Sequence, residues 1–321
     1  MPPKTQVIVN PESNRGRTRK RWSEIREALR SFFKEFRYDF TEKPFQAIDM
    51  AREAIKGGSE LIIGVGGDGT MNEIANGFFE NGRIINPSTS LGILPSGTGC
   101  DLMKSLRIPR GLRGALRVIS ETHETPIDVG RATYTTPEGK TEGRFFLNIS
   151  DFGIGGEVVR RVNERRLQRK ASSYIRCLID AMREFKGSAI RLTIDGRTWE
   201  EENCLIGAVA NGRIFGKGMK IAPLARIDDG WFDIILVKGM KFLEFCRHGW
   251  KLFTGGHLSH PKISCLRTRT VEASSATGRD ILLELDGEQL GKLPARFEII
   301  PRPLLVKGWR SETVSRSDLR C

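Results

Sequence analysis

The sequence predicts two halves, an α/β half up to about residue 125 and a β-rich half after it, on three observations. Short apolar runs alternate with helix-period segments in the first half. After Pro126, short strand-like runs separated by turns take over. The 321 residues also suffice for two domains at roughly 150 each.

The elements follow in order. Val7 to Val9 opens as a strand, Trp22 to Phe36 carries helical periodicity, and Arg37 to Phe40 is a second strand. Gln46 to Ile55 predicts a helix, Leu61 to Val65 a strand, Asn72 to Phe79 a helix and Leu91 to Leu94 a strand. Such alternation builds a parallel sheet covered on both faces. In the second half, strands are expected at Arg144 to Ile149, Ala189 to Ile194, Leu205 to Ala210, Trp231 to Val237, Thr268 to Glu272, Ile281 to Leu285 and Arg296 to Ile300. Many short strands point to a sandwich or barrel. Two helical stretches, roughly Glu157 to Phe185 and Lys241 to Leu252, interrupt them, and residues 310–321 form a polar tail.

Composition narrows the function classes. With 39% hydrophobic and 28% charged residues the chain is an ordinary globular protein, not a disordered one. The 52 Lys and Arg against 39 Asp and Glu give a net charge of +13, which suits an anionic partner: nucleic acid, a membrane surface or a phosphorylated small molecule. Six cysteines without a CxxC pair imply reduced thiols rather than a disulfide scaffold or zinc site. No apolar run reaches membrane-span length and no signal peptide opens the chain, so the expected location is cytoplasmic.

The chemistry concentrates in Leu61-Ile-Ile-Gly-Val-Gly-Gly-Asp-Gly-Thr70, where a strand runs into glycines and then a helix. Gly66, Gly67 and Gly69 permit close approach of main-chain N–H groups to an anion, and the helix start adds unpaired donors. The pattern is neither a P-loop nor the dinucleotide fingerprint. Asp68 within it either meets a divalent cation carried by a polyphosphate or caps the helix. Loops of similar character follow the other strands: Asn10-Pro-Glu-Ser-Asn-Arg-Gly16, Thr41, and Pro95-Ser-Gly-Thr-Gly-Cys-Asp101. In a parallel sheet such loops gather at the carboxyl edge, where ligands bind.

Gly66-Gly-Asp-Gly-Thr70 with Asn72-Glu73, Asn10-Pro11, and Ser96-Gly-Thr-Gly99 with Asp101 together resemble the diacylglycerol kinase catalytic domain superfamily, which includes bacterial soluble lipid kinases and eukaryotic sphingosine and ceramide kinases. The resemblance spans almost the whole chain. It implies an N-terminal Rossmann-like parallel-sheet domain over 1–125, with about 302–321 as its candidate completion, and a C-terminal β-sandwich domain over 126–301 that takes the acceptor. It implies contacts with ATP from Asn10, Arg15, Thr41, Gly66, Gly67, Asp68, Gly69, Thr70, Asn72, Glu73 and Thr98, and Mg2+ organised by Asp68, Asp101 and Asp128. The chain departs from the family pattern at Asn14 and Lys217, which stand for glycines, and at Cys100, which stands for a common asparagine.

Two acidic stations lie in the second half. Asp228-Asp-Gly-Trp231 is either an acidic turn between strands or a turn that offers oxygens to a hard cation. The resemblance implies a structural magnesium here, bound by Asp229 and the carbonyls of Arg226 and Trp231. Leu285-Asp-Gly-Glu288 ends a strand with two carboxylates, one of which could take a hydroxyl proton. The family uses this station at its active site, and the base falls to Asp286 or Glu288 without a choice between them. Glu157 sits near a position that sphingosine kinases use for a polar head group. The basic residues Arg160, Arg161, Arg165, Arg166, Arg169 and Lys170 form either a solvated helix face or an anionic-membrane contact.

The expected function is therefore an ATP- and Mg2+-dependent phosphotransferase acting on a lipid hydroxyl, of diacylglycerol or a sphingoid or ceramide-like acceptor, in a cytoplasmic protein peripheral to the membrane. NAD kinase, which shares the Gly-Gly-Asp-Gly-Thr loop, is the first alternative, and a noncatalytic nucleotide- or lipid-binding regulator the second. No nucleic-acid partner is expected, for want of a recognition motif, and a homodimer is compatible with the sequence.

Overall fold

The computed structural model of the chain describes residues 4–97, 99–164, 171–185 and 187–308. The chain parts into two compact units, one running up to Val129 and resuming at Pro301, the other Gly130–Ile300.

The first unit opens with β1 (Thr5–Val9), a single helical turn α1 (Arg17–Lys20), α2 (Trp22–Phe32), β2 (Arg37–Phe40), α3 (Gln46–Lys56), β3 (Leu61–Gly66) and α4 (Asp68–Gly77). A two-residue hairpin pair, β4 (Phe79–Glu80) and β5 (Arg83–Ile84), leads to β6 (Ser90–Pro95), α5 (Asp101–Ser105) and α6 (Leu112–Glu121). Strands run in the order β2-β1-β3-β6, every pairing parallel. Central strands read as continuous apolar runs because helices cover both faces. In β3, Ile62, Ile63 and Val65 are all buried. Each helix turns a spaced apolar stripe inward, Ile25 and Leu29 on α2 and Ala47, Ala51 and Ile55 on α3. Gly77 lets α3 and α4 touch, since a Cβ there would lie 2.4 Å from the Ile48 carbonyl. α4 begins at Asp68, four residues before the Asn72 start expected from the sequence.

The second unit begins within β7 (Glu124–Thr135), which pairs with β8 (Thr141–Phe146). It continues through β9 (Ile149–Gly153), α7 (Ile154–Glu164), α8 (Ala171–Glu184), β10 (Ser188–Ile194), β11 (Arg197–Ala210) and β12 (Phe232–Lys238). The short helices α9 (Phe242–His248) and α10 (Lys251–Thr254) follow, then β13 (Ile263–Thr268), β14 (Thr270–Ser275), β15 (Leu282–Leu285) and β16 (Glu288–Lys307), whose far end runs on into the first unit and pairs with β6. The expected single strand over Arg144 to Ile149 is broken at Leu147-Asn148 into β8 and β9.

The β-rich unit closes rather than forming two open layers. β9-β11-β10-β14-β16-β15 and back to β9 is a circuit of six antiparallel pairings. Of the sandwich or barrel expected, the strand pairings close into a barrel, and strand length explains the closure. β11 pairs with β10 through its first half and with β9 through its second, and β16 pairs with β15 and then β14. Long strands that serve two neighbours in succession carry the sheet around a corner. Phe146, Phe152, Phe232 and Phe297 fill this core, with Phe146 and Phe232 stacked at 5.6 Å. A second apolar layer lies between α7–α8 and the strands, where Val158, Val162, Cys177 and Ala181 meet Ala208 and Ile235.

Cys100, Cys177 and Cys204 are buried free thiols and Cys246 is an exposed one, whereas Cys265 is disulfide-bonded, contrary to the expectation of reduced thiols throughout. Among the described residues no helix is long and apolar enough to cross a membrane.

Candidate functional site

In the first unit the loops after β1, β3 and β6 are tied to one another at the carboxyl edge of the sheet. Asn10 donates from Nδ2 to Thr70 Oγ1 at 2.9 Å, while its own Oδ1 accepts the N–H groups of Glu12 and Ser13, both at 3.1 Å. The Ser96 N–H donates to the Gly66 carbonyl at 2.8 Å, and the hydroxyls of Thr18 and Ser96 hydrogen-bond to each other. Gly97 and Gly67 bring two backbones into contact, since a Cβ on Gly97 would stand 2.6 Å from the Gly67 Cα. Gly66 has no room either, its Cβ position falling 2.5 Å from Thr70 Oγ1. The result is a glycine-walled edge at the N-terminus of the ten-residue helix α4, where backbone N–H groups favour an anion.

Asn10, Gly66, Gly67, Asp68, Gly69 and Thr70 thus come together. Thr41 joins the edge through its N–H, which donates to the Val9 carbonyl at 2.9 Å. Arg15 is exposed on the loop after β1, where Asn14, Arg15 and Gly16 all have positive φ, at 51, 61 and 71°. Asn14 therefore occupies a left-handed position that suits glycine or asparagine. Asn72 and Glu73 face other protein groups: Asn72 is buried and accepts from Asn76 Nδ2 at 3.1 Å, and Glu73 accepts the Ala47 N–H at 3.3 Å. Thr98 and the basic residues Arg165, Arg166, Arg169 and Lys170 lie outside the described residues.

Sequence reasoning missed Arg21 and Arg110. Both line a cavity beside Val65, Leu94, Pro95 and Ser96, at the ends of β3 and β6. The signal available was Pro109-Arg-Gly111 immediately before α6, a loop arginine on the same strand-end side.

The acids expected to organise a cation are each engaged by protein. Asp68 accepts the N–H groups of Asp101 at 3.0 Å and Leu102 at 3.2 Å, so it caps α5. Asp101 pairs with Lys104 Nζ at 2.6 Å. Asp128 is fully buried and accepts the Arg302 N–H at 2.9 Å. Burial pushes the Cys100 thiol up to about 11, with Asp68 adding to the shift, so it is a packing group rather than a nucleophile.

In the second unit the Asp286-Gly287 turn has a cage around it. Asp286, at φ 48°, accepts the N–H groups of Leu147 at 2.8 Å and of Asn148 and Ile149 at 3.0 Å each. Its carboxylate is the acceptor that the break between β8 and β9 needs. Glu288, the first residue of β16, keeps its side chain partly exposed, with Arg144 3.7 Å away. Just behind the turn, Asp151 and Glu284 face each other across β9 and β15 and are both buried. Burial pushes Asp151 up to about 6, and burial together with the Asp151 charge raises Glu284 well above the usual carboxylate range. Burial of two facing carboxyls therefore favours a proton on the pair.

Glu157 is clamped by its own helix, to Arg160 at 2.6 Å and Arg161 at 2.7 Å. At the acidic turn, Asp229 accepts the Trp231 N–H at 3.2 Å and pairs with Arg267 at 2.8 Å, and Arg267 also reaches Asp233 at 3.3 Å. Arg226 turns its side chain to Asp228 at 3.2 Å. A guanidinium therefore stands among these acids, and among the described residues no three acid, His or Cys side chains gather as a metal site. In this structure the Arg267 guanidinium holds the Asp229 carboxylate that the expected magnesium would use.

Comparison with known proteins agrees with this architecture. Residues 4–132 match the diacylglycerol kinase catalytic domain, and residues 148–307 match the YegS C-terminal NAD kinase beta sandwich-like domain. A protein of Staphylococcus aureus named diacylglycerol kinase is 30% identical over 299 residues, 92% of this chain and 89% of the relative. Among solved structures, a diacylglycerol kinase from Bacillus anthracis superposes with a TM-score of 0.70 at 23% identity, covering 95% of this chain and 96% of that one. Yeast NADH kinase superposes with a TM-score of 0.53 at 11% identity, covering 95% and 83%. Both likenesses are of fold.

Proposed function

Because the chain belongs to the diacylglycerol kinase family, we propose that it transfers the γ-phosphoryl group of ATP to the hydroxyl of a diacylglycerol-like lipid. The observation that carries the nucleotide half is the glycine-walled edge, where Gly67 and Gly97 touch and α4 begins. Main-chain N–H groups there would bind phosphate oxygens as a Rossmann-like phosphate loop does, without a lysine-bearing P-loop.

The state of the two carboxylates of the Asp-Gly-Glu turn supports Glu288 as the base. Three backbone donors hold Asp286 in place, whereas the side chain of Glu288 is partly exposed at the head of β16, with Arg144 3.7 Å away. Glu288 would take the acceptor hydroxyl proton while that oxygen bonds to the γ-phosphorus and the bridging oxygen leaves with ADP. Asp286 would position the turn. Magnesium would enter with the triphosphate, and Asp68, Asp101 and Asp128, each held by protein groups through part of its carboxylate, are the acids that would meet it.

The test is incubation of purified protein with γ-labelled ATP, magnesium and mixed micelles of diacylglycerol. Label in a lipid monophosphate is expected. Label in NADP when NAD is supplied, with none in lipid, would reassign the activity.

A further inference from the structure

The stretch that holds α9 and α10 is apolar on two faces. Gly249 and Trp250, between the two helices, keep helical dihedrals, so residues 242–254 run as one helical segment that ends at Gly255 with φ 87°. Phe242, Phe245 and Leu252 turn inward and pack on the core beneath α7 and α8. The opposite stripe carries Leu243, Trp250 and Phe253, which are 80%, 61% and 47% exposed. Spacings of seven and three place these side chains along one side of a helix. Seven large apolar side chains are exposed among the described residues, and three of them fall within these eleven positions. A surface helix has no structural use for an apolar outer face, so this clustering marks a contact surface.

Charge selects the occupant. Arg247 and Lys251 lie on the same segment, and among the described residues neither has an ion-pair partner. The exposed Lys220 is held beside it through its N–H, which donates to the Leu252 carbonyl at 2.7 Å. The nearby acid, Glu244, is taken up by Lys262 at 2.6 Å and approached by His260 at 3.5 Å. Trp, Leu and Phe flanked by uncompensated cations is the pattern of a helix that lies in the headgroup region of an anionic bilayer.

We infer that the outer face of residues 242–254 is where this protein rests on an anionic lipid bilayer, an inference that deepens the lipid-acceptor reading and rests on it for its purpose. Seating Trp250 and Phe253 at the headgroup level, with Arg247, Lys251 and Lys220 against lipid phosphates, would keep the enzyme at the surface that holds its acceptor.

The experiment is co-sedimentation of the full chain with vesicles of phosphatidylcholine alone and with phosphatidylglycerol added. Size-exclusion chromatography and turnover of a short-chain, water-dispersed diacylglycerol accompany it. Wild-type protein should sediment with the phosphatidylglycerol vesicles and lose most of that binding in high salt. Trp250→Glu, and separately the charge reversal Arg247→Glu with Lys251→Glu, should each weaken partition by about tenfold while turnover of the dispersed acceptor stays at the wild-type level. Equal partition of wild type and both variants would overturn the proposal. So would a dimer that Trp250→Glu dissociates with vesicle binding unchanged, which would assign the face to a second copy of the chain. Vesicle binding lost in the variants of a protein that phosphorylates no lipid would uphold the surface and refute the acceptor reading instead.

Discussion

Replacing Asp286 by asparagine and Glu288 by glutamine separates the two roles assigned to the Asp-Gly-Glu turn. Asp286 accepts three backbone N–H groups from Leu147, Asn148 and Ile149, all in buried residues. An asparagine side chain offers one carbonyl oxygen with two acceptor sites, and its NH2 accepts nothing, so at least one buried N–H loses its partner. The other two lose a charged acceptor. One orphaned donor at about 1–3 kcal/mol, plus the weakening of two charge-assisted bonds, gives a loss of about 2–4 kcal/mol. Asparagine tolerates the positive φ at this position, so no backbone strain is added. In a unit of this size the thermal midpoint should fall by about 5–10 °C. Glu288→Gln keeps the size of a partly exposed side chain and weakens a long ion pair with Arg144, so stability should change by less than about 1 kcal/mol. Turnover should instead drop by about 10² to 10⁴ with ATP binding retained. Differential scanning calorimetry and initial rates on diacylglycerol micelles read both effects. An Asp286→Asn protein as stable as wild type, or a Glu288→Gln protein at full rate, would refute the division of labour.

Three further outcomes follow from the geometry. Gly97→Ala puts a methyl 2.6 Å from the Gly67 Cα, so it should spread the two loops and raise KM for ATP by about tenfold or more, with a folded protein by circular dichroism. The buried Asp151–Glu284 pair has folded-state pKa values above the unfolded ones. Its contribution is therefore complete below the usual carboxylate range and is lost as pH rises through Asp151's value of about 6 and on toward that of Glu284. Asp151→Asn should flatten the decline of the thermal midpoint between about pH 5 and pH 8, and an unchanged slope would count against a proton on the pair. With Arg267 placed among Asp229 and Asp233, EDTA should leave the midpoint of the nucleotide-free protein unchanged. Arg267→Ala should lower stability by about 2–3 kcal/mol, read by denaturant titration, because it removes the guanidinium beside the buried Asp233.

The glycine loops were legible because their information is local. Gly66, Gly67 and Asn10 announce their backbone needs within a few residues, and the apolar run Leu61 to Val65 announces a strand covered on both faces. Contacts between distant residues were not legible. Nothing near Asp286 in the sequence says that its carboxylate closes the turn at Leu147 and Asn148, and for the same reason the break between β8 and β9 reads as one strand. The parallel order of β2, β1, β3 and β6 follows from alternation, but closure of the barrel depends on which half of β11 or β16 each neighbour takes. β7 escaped detection because Pro126 reads as a break although the strand continues through it. The protein partners of the acids at 68, 101, 128 and 229 were not legible either. The backbone N–H groups and cations that take them up come from residues brought close by folding, as with Arg302 on Asp128 and Arg267 on Asp229. On α9, the inward phenylalanines show why a helix forms, and only the solved packing separates them from the outward Leu243 and Trp250.

Phosphate transfer to diacylglycerol by wild-type and Glu288→Gln protein, measured side by side with ATP binding by calorimetry, tests the central claim most directly. A labelled lipid monophosphate from wild type alone, with equal ATP affinity in both proteins, is the predicted result. Wild-type protein that binds ATP but labels no lipid, or a Glu288→Gln protein that labels it equally well, would contradict the claim.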